Sequence, residues 1–274
     1  MIWVGGRIVP DASLAIGPAD RALEHGIGLF ETLRTWNTYP SLLNRHLDRL
    51  RGSAEALHIP LDAASLPDAD AVAELLRESR VEGEARLRVT ATGGVSTSEG
   101  STVWMQCDPL SPDASTGAVL VPAPWPIVFD DPLARHKSLN YWSRRLAFEV
   151  ARQRGADEAL FSTPDGRVWE GSRTNLFLIR DETLWTPGLD GPIVPGIMRG
   201  LVLELAPALG LAIRAGDLCG RDLDEAEEVF LTNAVRGIIP VARASGRVFQ
   251  PPGPWTRRLR DAMVEGLERE GVRP

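Results

Sequence analysis

Of the 30 basic side chains in this 274-residue sequence, one is a lysine, Lys137, and the other 29 are arginines. Lysine is normally among the commonest residues, and arginine can take most of its surface roles. A sequence that has drifted this far toward arginine keeps lysine where a guanidinium fails. A primary amine can lose its proton, attack an aldehyde and form a Schiff base, whereas a guanidinium with a pKa above about 12 cannot. Lys137 is therefore the first candidate for covalent chemistry, with a solvated surface amine as the bland alternative. Other chemistries are thinly represented. Cys107 and Cys219 lack CxxC spacing, and His25, His46, His58 and His136 are not spaced as ligand pairs, so neither a disulfide framework nor a metal site is expected.

The formal net charge is −7, with 43% hydrophobic and 24% charged residues, a composition typical of a soluble globular protein. The basic residues are scattered, which argues against a nucleic-acid partner. No apolar run approaches a membrane span, and the N-terminal MIWVGGRIVP lacks the plan of a signal peptide, so a cytoplasmic protein with no membrane association is expected.

Several elements must position the lysine. Strands are expected over Trp3 to Val9 and from Gly26 to Thr35, the latter turning at Thr38-Tyr39-Pro40. Leu43, His46, Leu47, Leu50, Ala54 and Leu57 recur at helical spacing up to Pro60, and a second helix is expected from Asp68 to Arg80. ARLRVTAT (85–92) and STVWMQC (101–107) read as strands. LSPDASTG (110–117) and the Pro-rich PAPWPIVFDDP suggest a domain connection. After Lys137 a helix is expected from Asn140 to Arg154, with Trp142, Leu146, Phe148 or Ala147, and Val150 on its apolar side. The strings EALFST, RVWEG, NLFLIR and TLWTP predict short strands of a bent or barrel-like sheet. A helix from Ile197 to Leu209, a strand EVFLTN (228–233) and a last helix near 255–270 follow.

Five segments, in order, carry a resemblance: HGIGLFETLR with RHLDRL, HKSLNYW around Lys137, EGSRTNLF (170–177), VPGIMRG (194–200) and VFLTNAVRGIIPV (229–241). Together they resemble the class IV (fold type IV) pyridoxal phosphate enzymes, which include branched-chain and D-amino acid aminotransferases and aminodeoxychorismate lyase. The resemblance implies an α+β fold of two domains, a small N-terminal α/β domain and a larger C-terminal pseudo-barrel domain, with the cofactor between them and a homodimer completing each site. The implied division is residues 1–116, a connection and first strand over 117–134, and a cofactor domain over 135–274.

The resemblance also assigns roles. Lys137 would hold pyridoxal 5'-phosphate as an internal aldimine and then move a proton as general acid/base. Glu170 would face the pyridine nitrogen and keep the ring an electron sink. Arg49, which would otherwise read as part of a solvated helix face, is placed on the cofactor phosphate. Free backbone N–H groups at Ile197 and Met198, after Gly196, would bind the same phosphate. Val194 would pack on the ring, Tyr141 would meet its phenolic oxygen, and Asn233, Ala234 and Val235 would form a turn beside phosphate and substrate. Two departures stand out. Ala234 lacks the hydroxyl of branched-chain enzymes, and Tyr141 follows the lysine by one residue fewer than in those enzymes.

For the substrate, Arg88 falls where branched-chain enzymes place an arginine near the carboxylate, although Arg86 and Arg88 could both be exposed strand charge. D-amino acid enzymes carry an arginine where this chain has Ala91, which disfavours that activity. Thr32 matches a position where lyase members offer a hydroxyl. The resemblance thus implies an aminotransferase moving an amino group from an amino acid or amine to a 2-keto acid. Aminodeoxychorismate lyase, releasing pyruvate and 4-aminobenzoate, is the alternative, and a non-catalytic pyridoxal phosphate-binding protein is the third reading.

Overall fold

The computed structural model describes residues 1–98, 100–111 and 117–271, with 270 and 271 as backbone only. Contacts divide the chain into a unit of residues 1–112, 136–141 and 267–274 and a unit of residues 113–135 and 142–266. Most of the connection expected at 110–117 lies outside the described residues, as do residues 272–274. The short segment 136–141, assigned from sequence to the C-terminal part, groups with the first unit.

In the first unit, β1 (Ile2–Val4), β2 (Arg7–Val9), the short helix α1 (Arg21–His25), β3 (Gly28–Trp36) and β4 (Tyr39–Pro40) come first. They are followed by α2 (Leu43–Ala56), α3 (Ala69–Glu78), β5 (Ala85–Thr92) and β6 (Val103–Pro109). The six strands form one antiparallel sheet in the order β2-β1-β6-β5-β3-β4. Asn37 and Thr38 both have positive φ, the geometry of a two-residue hairpin turn that matches strand twist. The helical spacing read from the sequence is the buried face of α2: Leu43, Leu47, Leu50 and Ala54 pack with Leu29, Leu33, Leu87 and Val89 from the sheet. Asp68 caps α3 by accepting from Ala71 N at 2.8 Å.

The second unit contains β7 (Ala118–Pro122), α4 (Trp142–Gln153), β8 (Glu158–Ser162), β9 (Val168–Gly171), β10 (Asn175–Arg180) and β11 (Thr183–Pro187). After these come α5 (Ile197–Leu205), β12 (Ala212–Gly216), α6 (Gly220–Glu225), β13 (Glu228–Asn233), β14 (Gly237–Ala244), β15 (Arg247–Val248) and α7 (Pro254–Gly271), whose residues from 267 on group with the first unit. The pairing β10-β13-β14-β7-β8-β9 returns to β10 and closes a ring of six strands, with β11 and β12 continuing beyond β10. Alternate residues fill it: Ala118 and Leu120, Leu176 and Leu178, Val229 and Leu231, Ile239 and Val241. The barrel-like sheet expected from the turn-punctuated strands is thus a closed one. Among the described residues no helix is long and apolar enough to cross a membrane.

One expected helix face is corrected in part, since Ala147, expected there as the alternative to Phe148, is buried. Trp142 and Leu146 are 73% and 37% exposed, and the side of α4 that packs is made by the fully buried Ala147 and Ala151, one turn apart. They belong to a cluster with Ala159, Phe161 and Trp169, where small side chains let the helix lie close to the sheet. Large side chains on that face would force the helix away. The helix expected over 197–209 also divides. Its α-helical part ends at Leu205, and a single 3-10 turn, Pro207–Leu209, leads to Gly210 in the left-handed conformation.

Residues 136–141 dock on β3 within the first unit. Leu29 and Ser138 form an antiparallel bridge, Phe30 N donates to Lys137 O and Leu139 N donates to Gly28 O, each at 2.9 Å. A Cβ on residue 28 would stand 2.6 Å from Leu139 Cδ1 and 2.7 Å from Ala91 O, so only glycine permits the approach. Gly28→Ala should therefore destabilise the chain by about 1–3 kcal/mol in urea unfolding and release the amide protons of Phe30 and Leu139 to faster hydrogen exchange. Unchanged exchange at both would contradict this packing.

Candidate active site

The first unit gathers Lys137, Tyr141 and Arg88 around the Phe30 ring, with Thr32 in register beside Arg88. Strand alternation puts Phe30 and Thr32 on the same face of β3, and Thr32 is the direct cross-strand partner of Arg88 on β5. The Arg88 guanidinium lies 3.9 Å from the Phe30 ring centroid and Lys137 Nζ lies 4.4 Å from it. Tyr141 meets the same ring edge-on, with centroids 5.2 Å apart. Two cations on one ring face or rim gain from the ring quadrupole, and both head groups are fixed relative to β3. Burial, and then repulsion from Arg86, lowers the hold of Arg88 on its proton. Arg86 itself is exposed and paired with Asp108 at 2.7 Å. The two arginines that the sequence left equivalent are thereby separated.

Behind this face, Glu31 points toward α2. Arg49 donates from Nε to Glu31 Oε1 at 2.8 Å and from Nη2 to Oε2 at 2.6 Å, while His46 Nδ1 lies 2.7 Å from Oε2. Glu31 and His46 are 1% and 0% exposed. Burial alone would raise the Glu31 carboxyl, but the Arg49 charge and the hydrogen bonds from His46 and Arg49 outweigh it and hold the carboxyl at about 2. Burial lowers His46 in spite of Glu31, so the imidazole is neutral and Nδ1–H is its donor to the carboxylate. Its Nε2 is buried with no hydrogen-bond partner among the described residues. Arg49 is thus a guanidinium clamped by a double hydrogen bond, which fixes the direction of its remaining donors.

In the second unit, Glu170 near the end of β9 and Asn175 at the start of β10 are direct cross-strand partners where the ring of strands closes. Asn175 Nδ2 and Val194 N each donate to Glu170 Oε2 at 3.1 Å, and Asn175 Nδ2 also reaches Val194 O at 3.0 Å. Arg144 Nη2 stands 2.6 Å from Glu170 Oε1. The intervening turn is tied to buried Glu158, which accepts from Ser172 N at 3.0 Å, from Ser172 Oγ, and from Thr174 Oγ1 at 3.1 Å. A side chain at Gly171 would collide with Thr174 and Glu158. The Gly-Ser-x-Thr sequence therefore serves to align Glu170 with Asn175.

Gly196 caps α5 without any side-chain hydrogen bond, and a Cβ there would run into Asn175 Oδ1. The first-turn N–H groups at Ile197 and Met198 have no side-chain cap, and a helix N-terminus of this kind favours negative charge. The Met198 side chain is 2% exposed and packs inward. Arg199 is also buried, donating to Pro187 O at 2.8 Å. Burial lowers its hold on its proton, and the nearby Glu170 charge partly restores it. Asn233 Oδ1 accepts from Val235 N at 3.0 Å and Arg236 N at 2.8 Å. It shapes the turn through Ala234 and Val235 ahead of Gly237, whose φ is positive.

Sequence reasoning passed over Glu31, His46, Arg144, Glu158, Asn175 and Arg199. A signal existed for two of them: Glu31 interrupts the buried strand GLFETL, and His46 sits on the apolar face of α2. Among the described residues no group of three or more His, Cys, Asp or Glu side chains could hold a metal ion.

Each unit by itself carries groups that suit a phosphorylated aldehyde: in the first, an amine docked against β3 and a clamped guanidinium; in the second, a helix end without a side-chain cap and an oriented carboxylate. Residues 28–244 match the family model for class IV aminotransferases. The chain is 30% identical over 260 residues to aminodeoxychorismate lyase of Bacillus subtilis, covering 89% of this chain and 86% of the relative. A branched-chain aminotransferase from Thermoproteus uzoniensis, solved with norvaline, aligns with a TM-score of 0.88 at 28% identity over 98% of this chain and 96% of its own. A fold IV transaminase from Curtobacterium pusillum gives 0.85 at 25% identity over 96% of this chain and 92% of its own. The chain belongs to the class IV aminotransferases, a family of enzymes.

The Glu31 cluster makes stability acid-sensitive. Both folded-state values lie below the ordinary ones, 6.5 for His46 and 4.5 for Glu31, so the unfolded chain binds more protons as pH falls. Stability should drop first below pH 6.5 through His46. It should drop again between 4.5 and about 2 through Glu31, the second loss being on the order of 3 kcal/mol. His46→Gln should flatten the first limb in urea titrations from pH 7 down to about 5; an unchanged slope there would show that His46 is not the titrating group.

Proposed function

We propose that the chain is a pyridoxal phosphate-dependent aminotransferase that moves an amino group between an amino acid or amine and a 2-keto acid, acting as a cytoplasmic homodimer. The observation that carries this reading is the docking of Lys137 on β3, with the one side-chain amine of the sequence held 4.4 Å from the Phe30 ring. The cofactor, when bound, supplies an aldehyde for that amine and a pyridine ring that stabilises charge developing at the substrate carbon.

The chain's own residues do the rest. Lys137 Nζ would hold the cofactor through its amine and would carry the proton to and from the substrate α-carbon. Its anchoring through the backbone at both Lys137 O and Leu139 N keeps the amine in place during the exchange. Arg49, with its fork set by Glu31, and the α5 N–H groups at Ile197 and Met198 bind phosphate. Glu170, fixed by Asn175 and Val194, would serve the ring nitrogen, Val194 would pack on the ring and Tyr141 would serve the phenolic oxygen. Arg88, desolvated over Phe30, takes the substrate carboxylate, and the turn Asn233–Ala234–Val235 borders phosphate and substrate.

Thr32 favours a second reading. Its register opposite Arg88 offers a hydroxyl beside the carboxylate-binding position, which suits elimination of pyruvate from aminodeoxychorismate, and the Bacillus subtilis relative is named for that reaction. Purified protein mixed with a panel of amino donors should convert its cofactor absorbance to that of pyridoxamine phosphate. Pyruvate release from aminodeoxychorismate without a donor would select the lyase, and neither signal would leave only a binding protein. Loss of the charge-assisted carboxylate contact in Arg88→Met should raise KM for the keto acid about ten- to hundredfold, with kcat changing less. An unchanged KM would remove Arg88 from substrate binding.

A further inference from the structure

Glu170 is a buried carboxylate of the second unit held by both neutral and charged donors. Asn175 on β10 and the Val194 backbone, both neutral, donate to Oε2 and are sufficient to fix its orientation. Arg144 on α4 does something else: it brings a full positive charge to 2.6 Å from Oε1. That guanidinium is itself largely buried, at 13% side-chain exposure, against a carboxylate at 3%, and lies 5.6 Å from the Phe161 ring centroid. Arg199 on α5 adds a second, more distant positive charge that responds to Glu170. A permanent cation at this range competes with any other cation for the charge of the carboxylate. Such a neighbour weakens a carboxylate's grip on a proton by about tenfold to a thousandfold.

We propose that Arg144 is a positioning residue acting through Glu170, holding part of the carboxylate charge so that the enzyme favours a protonated ring nitrogen over a neutral ring only modestly. The proposal rests on the ring-nitrogen role given to Glu170 above. A protonated ring draws charge from the substrate carbon more strongly than a neutral one, so Arg144 moderates the electron sink that the chain provides.

The test compares dissociation constants for pyridoxal 5'-phosphate and for its analogue with C–H in place of the ring nitrogen. Both probes keep the aldehyde, phenol and phosphate, so contributions from Lys137, Arg49 and the α5 terminus cancel in the ratio. A merely structural role for Arg144 would weaken both ligands alike. Arg144→Gln, which keeps a neutral donor, should raise the preference for the nitrogen-containing ring about tenfold or more. Arg144→Met should move it the same way, and Arg144→Lys should restore the parent value. Glu170→Gln should collapse the preference. If Glu170→Gln collapses it but both neutral Arg144 variants leave it at the parent value, Arg144 has no such role and the reading of Glu170 stands. If Glu170→Gln leaves the preference untouched, the ring-nitrogen role fails and the proposal falls with it.

Discussion

Residues 136–141 reach β3 across Gly28, where the absence of a side chain lets two backbone hydrogen bonds form at 2.9 Å. That contact decides where the only side-chain amine of the protein stands. A lysine on a free loop would spread its head group over many rotamers and lose most of its effective concentration at a reacting carbon. Here the backbone on either side of Ser138 is bonded to β3, Phe30 and Tyr141 surround the amine, and the next strand supplies Arg88 in register with Thr32. The strand order of the first sheet, which sets β5 beside β3, brings these groups to one face.

The charged groups follow a common plan. Each buried ion is held by partners of its own unit. Glu31 holds Arg49 with both oxygens, and Glu170 is held by an amide side chain, a backbone N–H and Arg144. Burying such groups is costly unless they are paired and hydrogen-bonded, and here each has such partners. Glycines appear at the same places for a steric reason. Gly28, Gly171 and Gly196 each stand where a Cβ would collide with a group belonging to the cluster or its support.

Much of this was legible from residue types. The drift from lysine to arginine singled out Lys137, helical spacing gave α2 and α3, and turn-punctuated apolar strings gave β8 to β11 and the barrel-like sheet. Less was legible where local pattern conflicts with tertiary packing. β12 is an exposed edge strand with no alternation to read, and β14 contains Pro240, a residue that usually argues against a strand. The apolar side of α4 misled in part because bulky Trp142 and Leu146 dominate the hydrophobic pattern, although close packing on a sheet selects Ala147, which the pattern offered, and Ala151, which it did not. His46, Glu31 and Arg144 were passed over as functional because an ion pair between distant elements leaves no periodic trace. Arg144 in particular reads as a surface charge until β9 is seen to place Glu170 against it.

Borohydride reduction of the cofactor-loaded protein, followed by proteolysis and mass mapping, addresses the role of Lys137 most directly. The reduced pyridoxyl phosphate should be found on the peptide containing Lys137, and its yield should fall when Gly28 is replaced by a residue that displaces the 136–141 segment. Label confined to the N-terminal amine, or none at all, would contradict the assignment of covalent chemistry to this lysine.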